Sequence, residues 1–370
     1  MKTHLAKVPS YSQLMQSAGI NLKNKQYQAA LNDFKVAFML KDSIGKYDYA
    51  NAMVAAAKVD SVDLAIVWFG EGIKLGLGMT EDEYRYFSTA EDFKNLNKQN
   101  AYQNQLYGLA QQLTQQQKRE AERRREWLKK IQLHSSREAV EVVKLGFVLY
   151  WNQMGDSLVP YLVYLPAELE HKNNLRAIVY LHGGVSSVNE FQFEDPGVAD
   201  EPIFKMADRL GIVVIYPFGK KSYGWVRQRP AFQQVLAITE EAKLNYSLDS
   251  KEIYLGGMSN GGTAVYWFAT QNNTPFSAFF TLSADCELVI EPIHWERLQS
   301  DRPVYSFHAA DDTIYPLEKI STVFASRKSP AWYLRTLKTG GHGFIYDPAK
   351  GLQLFMQCIT EMLEGVHKKK

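Results

Sequence analysis

The sequence predicts an α/β domain, built on a mostly parallel sheet with helices on both faces, preceded by an all-α region. Three observations carry that expectation. From Leu145 onward, short β-branched or aromatic runs alternate with longer amphipathic ones, the pattern of a parallel sheet wrapped by helices. One short run ends in Gly257-Met258-Ser259-Asn260-Gly261 and passes at once into a helix-like segment. The first 115 residues read as helical throughout and contain an internal repeat.

In that first region Ala30, Phe34 and Ala37 recur as Ala65, Phe69 and Gly72, an offset of 35. Leu14, Ala18 and Asn21 correspond to Tyr49, Met53 and Ala56 at the same offset. Small residues at close helix contacts, with aromatics between them, resemble tetratricopeptide-type repeats. Tyr27 to Leu31 resembles the segment of such a unit that enters its second helix. Two repeats are clear. A third helical pair, Glu81 to Leu113, lacks the signature and reads as a cap. The resemblance leaves open whether these helices bind a protein or peptide partner or only dock on the second domain.

Residues 116–144 form a charged helical linker, so the expected domains are 1–115 and 145–370. Within Gln111 to Lys130, the basic run Arg123-Arg124-Arg125 is interleaved with Glu120, Glu122 and Glu126. That pattern points to a solvated helix with ion pairs between neighbouring turns, not to nucleic-acid binding. Lys368-Lys369-Lys370 reads as a solvated tail.

The second domain begins with a hairpin: Phe147 to Trp151 and Val159 to Leu165 flank Met154-Gly155-Asp156. A strand over Ala177 to Leu181 follows, then a helix near Ile203 to Leu210. Ile212 to Tyr216 is continuous and β-branched, as a strand buried on both faces should be. A helix over Phe232 to Leu244 precedes the strand at Ile253-Tyr254-Leu255. Ala278 to Leu282, Pro303 to Phe307 and Trp332 to Leu337 continue the strand series. Leu317 to Phe324 reads as a helix, and Leu352 to Leu363 closes the chain as an amphipathic one.

Ser259 lies in G-x-S-x-G between a strand and a helix, the context in which the motif means a nucleophile elbow. Such a serine is held in strained backbone, and its flanking glycines are required because a Cβ would clash with the neighbouring strand or helix. A nucleophilic serine needs a base, an acid to orient that base, and donors for the oxyanion. Three further segments answer those needs: Leu181-His182-Gly183-Gly184, His308-Ala309-Ala310-Asp311-Asp312-Thr313-Ile314-Tyr315-Pro316, and Gly340-Gly341-His342-Gly343. Each follows a strand. Together with the elbow they resemble the α/β-hydrolase superfamily over residues 145 to 370, with serine, aspartate and histidine in that chain order.

The resemblance implies an eight-stranded sheet and assigns Ser259 as nucleophile, His342 as base and Asp312 as the orienting acid. It implies an oxyanion hole from the N–H groups of Asn260 and Gly184, with Val185 as the alternative to Gly184. Ala309 stands where the family usually has glycine, a mild departure. Asp285, after the sixth strand, is the competing acid because some relatives place it there, and Asp311 reads as a capping residue beside Asp312. His182 and His308 are expected to hydrogen-bond within their turns. Two segments are positioned to shape a pocket: 186–202, with Phe191, Phe193, Glu194 and Asp195, and 286–301, with His294 and Trp295. Tyr223-Gly224-Trp225 reads either as an aromatic patch near the site or as packing.

Composition narrows the classes further. The chain has 370 residues, with 42 Lys plus Arg against 40 Asp plus Glu, so no strong field selects nucleic acid or acidic membrane. Two cysteines, Cys286 and Cys358, make no disulfide framework. No metal-ligand spacing, cofactor motif, membrane-spanning run or signal-peptide core is visible. These features leave the location open between the cytoplasm and, if the chain is a mature form, the periplasm or secretion. The catalytic half resembles carboxylesterases of the phospholipase/carboxylesterase and feruloyl-esterase-like groups. That implies a serine esterase acting on a carbohydrate, lipid or small acyl ester without a cofactor. A prolyl-oligopeptidase-like peptidase shares these motifs, and a non-catalytic binding protein on the same scaffold is the other alternative.

Overall fold

The computed structural model describes residues 9–40, 44–133, 145–170 and 172–367. The Lys368–Lys370 tail and residues 134–144 of the expected linker lie outside them. The chain divides into two compact units, residues 1–122 and 123–370.

The first unit is helical, as expected. Helices α1 (Tyr11–Lys23), α2 (Tyr27–Met39), α3 (Lys46–Lys58) and α4 (Val62–Lys74) are each 13 residues long. α1 and α3 begin 35 residues apart, as do α2 and α4, so the sequence period is also the structural one. Ala18, Ala30 and Phe34 are buried together with Met53, Ala56, Ala65 and Phe69 in one core, and Ala37 is fully buried as well. A Cβ on Gly72 would lie 2.6 Å from the Leu77 side chain; the first repeat carries Ala37 at the same position. Beyond α4 come α5 (Glu81–Thr89) and the long helix α6 (Asn100–Lys130). Residues 115–126 of α6 are almost all exposed, the solvated face that the alternating charges predict.

The second unit holds one nine-stranded sheet in the order β1-β2-β3-β5-β4-β6-β7-β8-β9. Its strands are β1 (Gln132–Leu133), β2 (Gly146–Met154), β3 (Ser157–Leu165), β4 (Leu175–Leu181), β5 (Val213–Pro217), β6 (Leu248–Met258), β7 (Ala278–Leu282), β8 (Val304–Ala309) and β9 (Trp332–Leu337). The last eight correspond to the runs predicted from sequence. The two-residue β1, parallel to β2, is the addition. β2 and β3 form the expected hairpin: Met154 pairs with Ser157 across Gly155-Asp156, and Gly155 takes φ +57°. β3 also runs antiparallel to β5, and from β5 to β9 neighbouring strands are parallel.

Both faces are covered. On one, Phe232, Val235 and Ile238 of α8 (Arg229–Asn245), with Val265 and Phe268 of α9 (Asn260–Ala269), pack on Val213, Ile215 and Leu255. On the other, Ile203 and Phe204 of α7 (Pro202–Leu210), with Phe355 and Ile359 of the closing helix (Gly351–His367), pack on Val214, Tyr254 and Phe280. Burying alternate residues of the same strands on opposite faces explains why these strands are apolar throughout.

β4 lies between β5 and β6, so successive connections depart from it in opposite directions. A crevice opens outside the carboxyl ends of strands at such a switch point. β4 ends at Leu181 and β6 at Met258, with Leu181 paired to Gly257. The His182 turn and the Ser259 elbow therefore emerge side by side.

Candidate active site

Ser259 occupies φ +53°, ψ −121°, a conformation that costs an L-residue on the order of 1–3 kcal/mol. Its neighbours hold it there. Its N–H donates to the Leu282 carbonyl at 2.9 Å, and its own carbonyl accepts the Thr263 N–H at 3.0 Å. The flanking glycines are sterically required. A Cβ on Gly257 would lie 2.6 Å from the Gly261 backbone, and one on Gly261 would lie 1.9 Å from the Leu181 carbonyl oxygen. The elbow is thus wedged against the end of β4.

The adjoining turn is equally constrained. A Cβ on Gly183 would meet Ser259 Cβ at 3.1 Å, and Gly184 takes φ +72°. The His182 side chain organises this turn. Its Nδ1 lies 2.7 Å from the Gly183 carbonyl, and its Nε2 accepts the Gly219 N–H at 3.0 Å. The Nδ1 nitrogen therefore carries the proton. The ring packs on Tyr216 at 5.5 Å and Trp225 at 5.0 Å, and burial pushes its pKa down to about 4. It is a neutral hydrogen-bonding group inside its turn, as the sequence suggested. Asn260, the first residue of α9, has a backbone N–H with no intrahelical acceptor, at the positive end of the helix dipole.

Asp312 and His342 come together although 30 residues apart: His342 Nδ1 lies 2.9 Å from Asp312 Oδ2. The carboxylate is buried and its orientation is set by backbone. Oδ1 accepts the N–H groups of Ile314 and Tyr315, both at 2.9 Å. His308 lies 3.4 Å from Oδ2 through its Nε2, which also meets the Tyr315 carbonyl at 2.6 Å. Asp311 serves the neighbouring loop, accepting the N–H groups of Gly341 at 2.8 Å and Gly340 at 3.2 Å. Those two bonds hold its carboxyl below the usual aspartate range and tie down the turn that presents His342. Asp285 is turned elsewhere, paired with Lys319 at 2.8 Å.

Among the described residues no hydrogen bond joins Ser259 to His342; Tyr315 meets His342 and Asn260, the residue after Ser259. The tyrosine ring meets the His342 ring edge-on at 5.2 Å, and its phenol oxygen reaches the start of α9. Asn260 Nδ2 donates to the same phenol oxygen at 3.2 Å. Nothing in the sequence distinguished this tyrosine from its loop neighbours, because its role depends on three chain segments meeting.

The segments expected to shape a pocket divide. Trp295 is buried against Trp332 in a stack 4.4 Å apart, so it belongs to the core. His294 pairs with Glu296 at 3.1 Å. In the other segment Asp195 caps a short turn through the Gly197 N–H at 2.8 Å, and Glu194 pairs with Arg124. Phe193 packs on Trp151 and Phe218, and Phe191 lies under Lys220. Trp225 is buried and donates to the His182 carbonyl at 3.3 Å, while Tyr223 bonds Gln234 at 2.6 Å. The aromatic patch is packing that braces the His182 turn. No helix among the described residues is long and apolar enough to cross a membrane.

No family model matches the chain. A bifunctional acetylxylan esterase/xylanase of Neocallimastix patriciarum is 25% identical over 162 residues, which are 43% of this chain and 22% of that protein. The chain thus aligns with about a fifth of that relative's length. Among solved structures, a Pyrococcus horikoshii acylaminoacyl peptidase superposes with a TM-score of 0.46 at 18% identity, covering 60% of this chain and 42% of that one. Thermogutta terrifontis esterase 2 phosphorylated by paraoxon superposes with a TM-score of 0.49 at 17% identity, covering 60% and 94%. By strand order, by helices on both faces and by the strand–elbow–helix at Ser259, the second unit has the α/β-hydrolase fold.

Proposed function

We propose that this protein is a serine hydrolase of carboxylic esters, with Ser259 as nucleophile, His342 as base and Asp312 as the acid that orients it. The observation that carries this reading is the buried Asp312 carboxylate 2.9 Å from His342 Nδ1. That contact fixes the imidazole tautomer, so Nε2 is free to take a proton. His342 removes the Ser259 proton as Oγ attacks the acyl carbonyl, and the oxyanion is held by the N–H groups of Asn260 and Gly184. The alcohol leaves with the proton from His342. Water activated by the same imidazole then releases the acid.

The sequence resemblance to carboxylesterases, and the acetylxylan esterase relative, favour an ester of a carbohydrate or another small alcohol. The 35-residue period of α1 to α4 supports a tetratricopeptide-like unit, for which we propose a protein or peptide partner.

Fluorophosphonate labelling and hydrolysis of short p-nitrophenyl esters test the catalytic reading. Wild type should label once per chain and turn over esters, and Ser259→Ala should do neither. A wild type that neither labels nor hydrolyses any ester would reject the enzyme reading in favour of a binding protein on this scaffold.

A further inference from the structure

We propose that His308 is a positioning residue for the Asp312–His342 pair. Its Nε2–H latches the loop that carries Asp312 and faces the same carboxylate oxygen that His342 binds. The inference rests on the reading of Asp312 and His342 as acid and base.

His308 is the last residue but one of β8, and its side chain is almost fully buried, as is that of Asp312. A carbonyl oxygen can only accept, so the 2.6 Å contact between His308 Nε2 and the Tyr315 carbonyl puts a hydrogen on Nε2. The same nitrogen lies 3.4 Å from Asp312 Oδ2. That separation is long for a hydrogen bond. It still brings the positive end of an N–H dipole to the oxygen that His342 Nδ1 reaches at 2.9 Å. Tyr315 completes the clamp from its other side: its N–H donates to Asp312 Oδ1 at 2.9 Å, beside the Ile314 N–H at 2.9 Å. Each carboxylate oxygen therefore faces two N–H groups, which matches the roughly four lone-pair sites of an ionised carboxylate.

Removing the Nε2–H acts on both oxygens. The Tyr315 carbonyl loses the donor that fixes it, so the Tyr315 N–H is freer to leave Oδ1. Oδ2 loses its second N–H at the same time. His342 Nδ1 then meets a carboxylate whose plane is no longer held, and the imidazole spends less time in its working orientation. Acylation and deacylation both use this base, so both slow together.

Glutamine and asparagine separate the latch from packing alone. In His308→Gln the amide nitrogen falls where Nε2 stands and donates to the Tyr315 carbonyl; in His308→Asn it stops one methylene short. With p-nitrophenyl acetate, His308→Asn should show kcat and kcat/KM reduced together about 10- to 100-fold, with KM within about threefold of wild type. His308→Gln should keep kcat within about threefold of wild type.

Proton NMR reads the contact itself. The low-field resonance of the His342 Nδ1–H bonded to Asp312, present in wild type and absent from Asp312→Asn, should move or broaden in His308→Asn and return in His308→Gln. An unmoved resonance in His308→Asn would overturn the proposal whatever its kcat. So would an unchanged kcat in that variant, or a His308→Gln variant as slow as it. If His308→Asn does not fold, His308→Phe, which keeps a buried ring without the donor, replaces it in the same comparison. A wild type that neither labels with fluorophosphonate nor turns over esters would remove Ser259 as nucleophile. The resonance would still report on His308, so an unmoved one would then overturn this inference by itself.

Discussion

Asp285 and Asp312 both lie near the carboxyl ends of strands beside the elbow, yet only Asp312 reaches His342, at 2.9 Å. Asp285 is paired with Lys319 at 2.8 Å, and Lys319 also holds Glu287 at 3.0 Å. Two acids that were rivals in the sequence are separated by which nitrogen each one meets, an imidazole for Asp312 and an ammonium for Asp285.

Asp312→Asn should therefore lower kcat about 10⁴-fold, because an amide stabilises neither the required tautomer nor the imidazolium. Asp285→Asn should change kcat by less than about threefold and stability by no more than ~1 kcal/mol, since its ion pair is partly exposed. Steady-state ester hydrolysis on both variants checks this. The opposite ranking would move the orienting acid to Asp285.

His182 predicts a pH dependence of stability. Its folded pKa, about 4, lies below the ordinary 6.5, so the unfolded chain binds the proton more readily than the fold does. Stability is then fully present above about pH 6.5 and falls as the pH drops toward 4, by about 3 kcal/mol over the whole interval. Urea unfolding at pH 7.5 and 5.0 should show this loss in wild type and a smaller one in His182→Asn. Equal losses in both would place the acid sensitivity elsewhere.

Gly261→Ala should be more damaging than its single added methyl suggests. The Cβ would sit 1.9 Å from the Leu181 carbonyl oxygen, in backbone that cannot swing aside as a side chain would. Helix α9 would have to move away from β4, at a cost of about 3 kcal/mol or more. A urea midpoint close to that of wild type would show that the elbow has slack which this geometry denies. Ser259→Ala, which adds no atoms, provides the comparison.

Residues 145–367 were legible because a parallel sheet with helices on both faces leaves a repetitive apolar pattern. The same holds for the helices of the first unit, whose buried alanines and phenylalanines recur every 35 residues. Ser259, Asp312 and His342 were nominated by glycine-rich turns directly after strands, where local chain geometry restricts what can occur. Trp295 and Trp225 were harder to place, since an aromatic side chain in a loop reads the same whether it faces a ligand or the core. Burial against Trp332 and beneath the His182 turn settled both.

What the chain specifies locally is the order of strands and helices, the strained serine between two obligatory glycines, and the small set of acids and histidines near strand ends. The tertiary structure alone decides which of those acids faces His342, that Asp311 ties down the Gly340–Gly341 turn, and that Tyr315 links Asn260 to His342. The reason is physical. A hydrogen bond or ring contact requires separations of a few ångströms between residues 20 to 60 positions apart. Lateral pairing of β6, β7, β8 and β9 brings the loops at their carboxyl ends within that range.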